Sequence, residues 1–206
     1  VSRGYEQARL AALDTLSGAC FAVASVQAAA QRTMPPALLA SSIVTLKAGE
    51  EAPLDELTHR LTDAGYERCS QVEGMGQFSV RGGILDIFPP QAERPYRVEF
   101  WDDEIDSIST FDVGSQRRLE QCETLRCLPC MEALPSLAKG GAAGLAKAVA
   151  ALASSRRKKQ HAELQKNLER DAERLRESGT LPAADKYLPL IYPQMATAFD
   201  YLPENT

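Results

Sequence analysis

From Tyr66 to Arg126 apolar residues return at every second position, in short runs separated by turn residues. That period belongs to β-strands with one face buried. Strands are predicted at about 67–73, 77–81, 84–88, 96–101, 105–111 and 118–126. Gly74 and Gly76, Gly82-Gly83, Pro89-Pro90, Asp102-Asp103 and Gly114 separate most of them. The spacing predicts an antiparallel meander. One helix, from Pro53 to Ala64, packs on it through Leu54, Leu57 and Leu61, with Gly65 as its C-terminal cap. Ile43-Val44-Thr45-Leu46 is a further predicted strand.

The flanking segments read differently. Residues 5–17 predict a helix stopped by Gly18, and Cys20-Phe21-Ala22-Val23-Ala24 predicts a buried strand. A short helix near 26–32 ends at Pro35-Pro36. Together they suggest one edge of a parallel α/β sheet. After Pro135 the chain turns helical, with an alanine-rich stretch 142–153 and a long helix to about Glu177. Leu164, Leu168 and Leu175 are its expected buried stripe, and Tyr187–Ile191 and Phe199–Pro203 are expected to dock back onto the first domain. The fold class is therefore α/β (α+β): an antiparallel sheet domain with one packed helix, flanked by part of an α/β domain and a helical segment.

Composition narrows the function. A formal net charge of −5 argues against wholesale nucleic-acid binding. The N-terminus has no signal-peptide pattern and no apolar run is long enough to span a membrane, so the chain is read as cytoplasmic. The five cysteines read as reduced thiols.

Catalytic and metal motifs fail on inspection. Gly140–Lys147 has the wrong spacing for a phosphate-binding loop and lacks its hydroxyl, so it reads as a flexible linker. Val98–Glu104 lacks the apolar continuity of a strand ending in magnesium ligands. Cys127-Leu128-Pro129-Cys130, with Cys122 nearby, lacks the second ligand pair of a structural zinc site. His59 and His161 have no apparent nucleophile, and the basic run 156–159 reads as a solvated helix face.

The informative part is the outer face of the sheet. Alternation in Tyr96-Arg97-Val98-Glu99-Phe100-Trp101 turns Tyr96, Val98 and Phe100 inward and Arg97, Glu99 and Trp101 outward. In Gln77–Arg81, Phe78 and Val80 point inward while Gln77, Ser79 and Arg81 point outward. The single tryptophan thus shares a polar face with arginines, the composition of an interface hot spot. Cover by a loop or a second domain is the competing reading.

Gly65-Tyr66-Glu67-Arg68 and Gly76–Pro89, extended by Pro95–Ile108, resemble a signature shared by the UvrB and transcription-repair coupling factor (Mfd) families. Phe111-Asp112-Val113 with Ser115-Gln116-Arg117, and the later Gly179–Pro182 and Phe199–Pro203, tip the resemblance to the coupling factors. It implies the end of a UvrB-like domain 1a in 1–42, a UvrA-binding domain 2 in 43–129, and a mainly helical domain 1b in 130–206. The same resemblance implies that the chain is an excised piece. The ATP-driven translocase motor and the contacts to RNA polymerase and double-stranded DNA would lie outside it.

By that resemblance the chain is a non-catalytic module that recruits the damage sensor UvrA to stalled RNA polymerase. Arg81, Arg97 and Trp101 would be the contact residues, with Ser79 and Glu99 supporting them on the same face. The docking itself would need no cofactor and no metal. The competing readings are a nucleic-acid-binding β domain, the corresponding region of UvrB, or an enzyme fragment that retains nucleotide affinity.

Overall fold

The computed structural model describes residues 3–18, 21–155 and 162–203. In chain order the helices are α1 (Arg3–Leu16), α2 (Val26–Ala30), α3 (Pro36–Ser42), α4 (Leu54–Asp63), α5 (Gly141–Ser155), α6 (Ala162–Ser178) and α7 (Leu188–Ile191). The strands are β1 (Val44–Lys47), β2 (Glu67–Arg68), β3 (Gln77–Arg81), β4 (Ile84–Ile87), β5 (Tyr96–Trp101), β6 (Glu104–Phe111), β7 (Arg118–Cys122) and β8 (Thr124–Cys127). Two compact units result: residues 1–23, 37–132 and 201–206, and residues 24–36 and 133–200. The class is mixed α/β, with the antiparallel sheet in the first unit.

In the first unit the strands follow sequence order, β2-β3-β4-β5-β6-β7. Every pairing from β3 to β7 is antiparallel. The β2–β3 pairing is parallel, so the meander begins only at β3. The predicted strand 118–126 breaks at Glu123: β7 closes the large sheet, while β8 leaves it and pairs antiparallel with β1.

Alternation builds the core. Phe78, Leu85, Ile87, Val98, Ile105 and Ile108 are fully buried on one face of the sheet. Leu57 and Leu61 of α4 pack into the same cluster. Burying a side chain of this size contributes roughly 1.5–3 kcal/mol, so this face dominates the unit's stability. Helix α4 carries Asp55 and Glu56 in its first turn and Arg60 in its last, each favourable to the helix dipole. It ends in a Schellman arrangement. Tyr66 N–H donates to Leu61 O at 3.0 Å and Gly65 N–H to Thr62 O at 3.0 Å. The left-handed Gly65 (φ 86°) makes this possible.

Several expectations are corrected. Residues 21–25 form no strand: Phe21 is 94 % exposed and Val23 is also exposed, because no neighbouring strand among the described residues takes their backbone groups. The adjoining Cys20 lies outside the described residues. The supposed linker at 140–147 opens α5 instead. Gly140 and Gly141 are left-handed (φ 79° and 65°), and a Cβ on Gly144 would lie 2.0 Å from Lys139 O. Once past those glycines, the alanine-rich run has high helix propensity.

In the second unit the buried residues of α6 are Leu168, Asp171, Ala172 and Leu175. Leu164 is not among them. It and Leu152 of α5 are both exposed. The basic run 156–159 lies outside the described residues. Tyr187 is a buried anchor whose hydroxyl donates to Asp171 Oδ2 of α6 at 2.8 Å. Phe199, by contrast, is exposed. No helix among the described residues is long and apolar enough to cross a membrane.

Candidate docking face

The register sets the outer face of the sheet row by row. Ser79, Asp86, Arg97 and Ser109 are successive partners across β3, β4, β5 and β6. The next row is Arg81, Ile84, Glu99 and Ser107. Beyond a register shift at Glu99/Phe100, Trp101 pairs with Glu104 at the tip of the β5–β6 hairpin. Asp102 turns that tip with φ 57°, a conformation an aspartate tolerates.

Gly82-Gly83 brings the end of β3 close to the tip of β5. Gly82 is left-handed (φ 59°), and a Cβ on Gly83 would sit 2.9 Å from the Phe100 carbonyl oxygen. Phe100 N–H donates to Gly83 O at 2.8 Å. The end of β3 therefore places Arg81 at the same end of the sheet as Trp101.

Trp101 is 80 % exposed. Arg81 is half exposed, and its Nη2 donates to Asp86 Oδ2 at 2.7 Å. Arg97 differs. Its side chain is only 13 % exposed, with Nε donating to Asp86 Oδ1 at 2.7 Å and Nη2 to Asp86 Oδ2 at 2.8 Å. Nη1 reaches Gln116 O at 3.2 Å, and the guanidinium lies 4.7 Å from the centre of the Phe111 ring. The bonds to Asp86 raise the Arg97 pKa further and burial opposes them, so the group stays charged.

The expectation of a uniformly wet face is thus corrected. Arg97 has its fork filled from within, and Ser79 is buried and cannot reach a partner. The physical reason is a second small apolar cluster on this side. Val72, Phe88 and Phe111 pack there with Cys69 and Val113, so loop residues around 69–72 and 112–117 roof that half of the sheet. Glu99 is partly covered, ion-paired with Arg118 and bonded by Ser107 Oγ at 3.1 Å.

Sequence reasoning missed Asp86, Phe88 and Phe111. The signal for Asp86 was a charged residue inside the apolar run Ile84-Leu85-Asp86-Ile87, but only the β4–β5 register sets it opposite Arg97. The cysteine pair is a core element. Burial pushes the Cys127 thiol up to about 12 and raises that of Cys130 as well. Tyr66, between them, donates to Leu128 O at 2.7 Å. No group of three or more metal-ligating side chains occurs among the described residues.

The fold is that of a mixed α/β protein whose helix-backed, mainly antiparallel sheet exposes an aromatic and an arginine at one end. Residues 44–132 match the family model of the UvrB interaction domain. Through residues 44–132 the chain carries that interaction domain, and over most of its length it is similar to transcription-repair-coupling factors. It is 38 % identical to the transcription-repair-coupling factor of Bacillus subtilis over 184 residues, covering 87 % of this chain and 16 % of the relative. The coupling factor of Haemophilus influenzae is 37 % identical over 177 residues, or 85 % of this chain and 14 % of the relative. That of Mycobacterium bovis is 45 % identical over 105 residues, half of this chain. The chain thus spans about one-sixth of the length of the Bacillus relative.

Proposed function

We propose that the outer end of this sheet docks the damage sensor UvrA, and that the chain serves transcription-coupled nucleotide excision repair as a non-catalytic recruitment module in the cytoplasm. Trp101 is the anchor and Arg81 the exposed hydrogen-bond donor at the same end of the sheet. Arg97 supports them from behind with its charge, and Glu99 lies on the same face. The division into domain 1a (1–42), domain 2 (43–129) and domain 1b (130–206) belongs to the same proposal. So do an ATP-dependent translocase motor and contacts to RNA polymerase and double-stranded DNA elsewhere in the parent protein.

The observation that carries this reading is the exposure of Trp101, the single tryptophan, at the tip of a UvrB interaction domain. An indole this exposed adds little to folding stability, whereas tryptophan and arginine are the residues in which binding hot spots are enriched. Titration calorimetry of the chain with purified UvrA tests it. Saturable binding by the wild-type chain, weakened by Trp101→Ala, is expected. Absence of binding by the folded wild-type chain would refute the reading.

A further inference from the structure

Asp86 is almost completely buried, yet its two oxygens carry three donors from two arginines. The two arginines are held unequally. Arg97 offers a bidentate fork, adds bonds to Gln116, and stacks on the buried Phe111 ring. Arg81 makes one bond to the same carboxylate and keeps half of its side chain in solvent. Two guanidiniums around one carboxylate leave an excess of one positive charge. Arg97 alone is enough to neutralise Asp86, so Arg81 can leave without stranding a buried anion.

We infer that Asp86 is a positioning residue for docking: it locks Arg97 in place and holds Arg81 by a single exchangeable bond, ready for transfer to an acidic group of the partner beside Trp101. The inference rests on the UvrA reading. Holding Arg81 before binding reduces the rotamer entropy lost on docking. The partner chemistry that fits is a carboxylate at the rim of an apolar pocket. The carboxylate takes the free edge of Arg81 and the pocket takes the indole.

The test is a double-mutant cycle on the whole chain, read by calorimetry with UvrA, with circular dichroism and thermal melting as the check on folding. Asp86→Asn is expected to weaken binding by about tenfold or more. Arg81→Ala is expected to lose much of its effect in the Asp86→Asn background, because both changes disable the same donor. A purely structural Asp86 gives additive losses. Additivity, or wild-type affinity in the folded Asp86→Asn chain, overturns the inference while leaving the UvrA reading intact. Failure of the wild-type chain to bind, or wild-type affinity in both Trp101→Ala and Arg81→Ala, overturns the reading and the inference with it.

If Asp86→Asn does not fold, the volume-matched Asp86→Leu/Arg97→Met chain replaces it, since it removes the buried pair without orphaning a charge. It is expected to bind about tenfold or more weakly, and wild-type affinity overturns the inference. A readout on the free wild-type chain needs no variant. The Arg97 Nε–H, held by Asp86, should exchange with solvent more slowly than that of Arg81, and equal rates overturn the proposed division of roles.

Discussion

Asp86 and Arg97 lie directly opposite one another on β4 and β5 and are joined by two hydrogen bonds of 2.7 and 2.8 Å around a carboxylate that is 1 % exposed. Removing Asp86 leaves Arg97 charged in a place that water barely reaches, and removing Arg97 leaves the buried Asp86 only its single bond from Arg81. Arg97→Ala is therefore expected to destabilise the chain by about 3 kcal/mol, measured by urea denaturation. Asp86→Leu/Arg97→Met, which removes both charges, should cost much less. Equal losses would mean that packing, rather than charge, fixes this site.

Trp101 gives the opposite expectation. Its indole is exposed, so Trp101→Ala should change folding stability by no more than about 0.5 kcal/mol. The same change should cost about 2 kcal/mol or more in UvrA binding. Comparing a denaturation curve with a titration separates the two effects, and a large loss of stability would mean that the indole is sealed in solution.

Gly83 tests the geometry that brings Arg81 towards Trp101. A methyl group there would meet the Phe100 carbonyl oxygen at 2.9 Å, and that neighbour is backbone. Gly83→Ala should destabilise by about 1–3 kcal/mol through overpacking and should also weaken docking. A stable, fully binding Gly83→Ala chain would show that the close approach is unnecessary.

In the second unit, Asp171 predicts a pH response. Burial pushes its carboxyl upward, but hydrogen bonds from Lys186 and Tyr187 outweigh that and hold it below the usual value. A carboxylate depressed on folding contributes stability that is present above its unfolded pKa of about 3.9 and is lost as pH falls through the lower folded value. Thermal melting from about pH 6 to pH 2 should show this loss. Asp171→Asn should lower stability at neutral pH and flatten the acid limb, and an unchanged acid limb would count against the assignment.

Cys127 and Cys130 should resist thiol reagents in the native chain. Both are buried and their pKa values are raised by burial, which suppresses the reactive thiolate. Alkylation at pH 8 followed by peptide mapping should modify the partly exposed Cys69 and Cys122 before Cys127 and Cys130. Early labelling of the Cys127–Cys130 peptide would indicate local opening of β8.

The sheet was legible because its signal is local. Phe78-Ser79-Val80 and Leu85-Asp86-Ile87 alternate whatever the rest of the chain does, and the core residues of β3 and β4 follow from that. Helix α4 was legible for the same reason, from Leu57 and Leu61 spaced about one turn apart and a glycine that only a C-terminal cap explains. The family signature lies in this same stretch of strands and turns.

Cover and partnership were not local. Alternation assigned Ser79, Arg97 and Trp101 to one face, but that face is roofed at one end and open at the other. The roof comes from Val72, Phe88, Phe111 and Val113, on other elements of the fold. The same limit explains residues 21–25, whose apolar run reads as a strand although a strand exists only where a neighbour supplies hydrogen bonds. The sequence by itself determined which side of each strand an atom leaves from, because that is set by backbone geometry one residue at a time. Only the tertiary structure decided which outward side chains meet water and which meet Asp86, because solvation and charge pairing depend on segments brought together by folding.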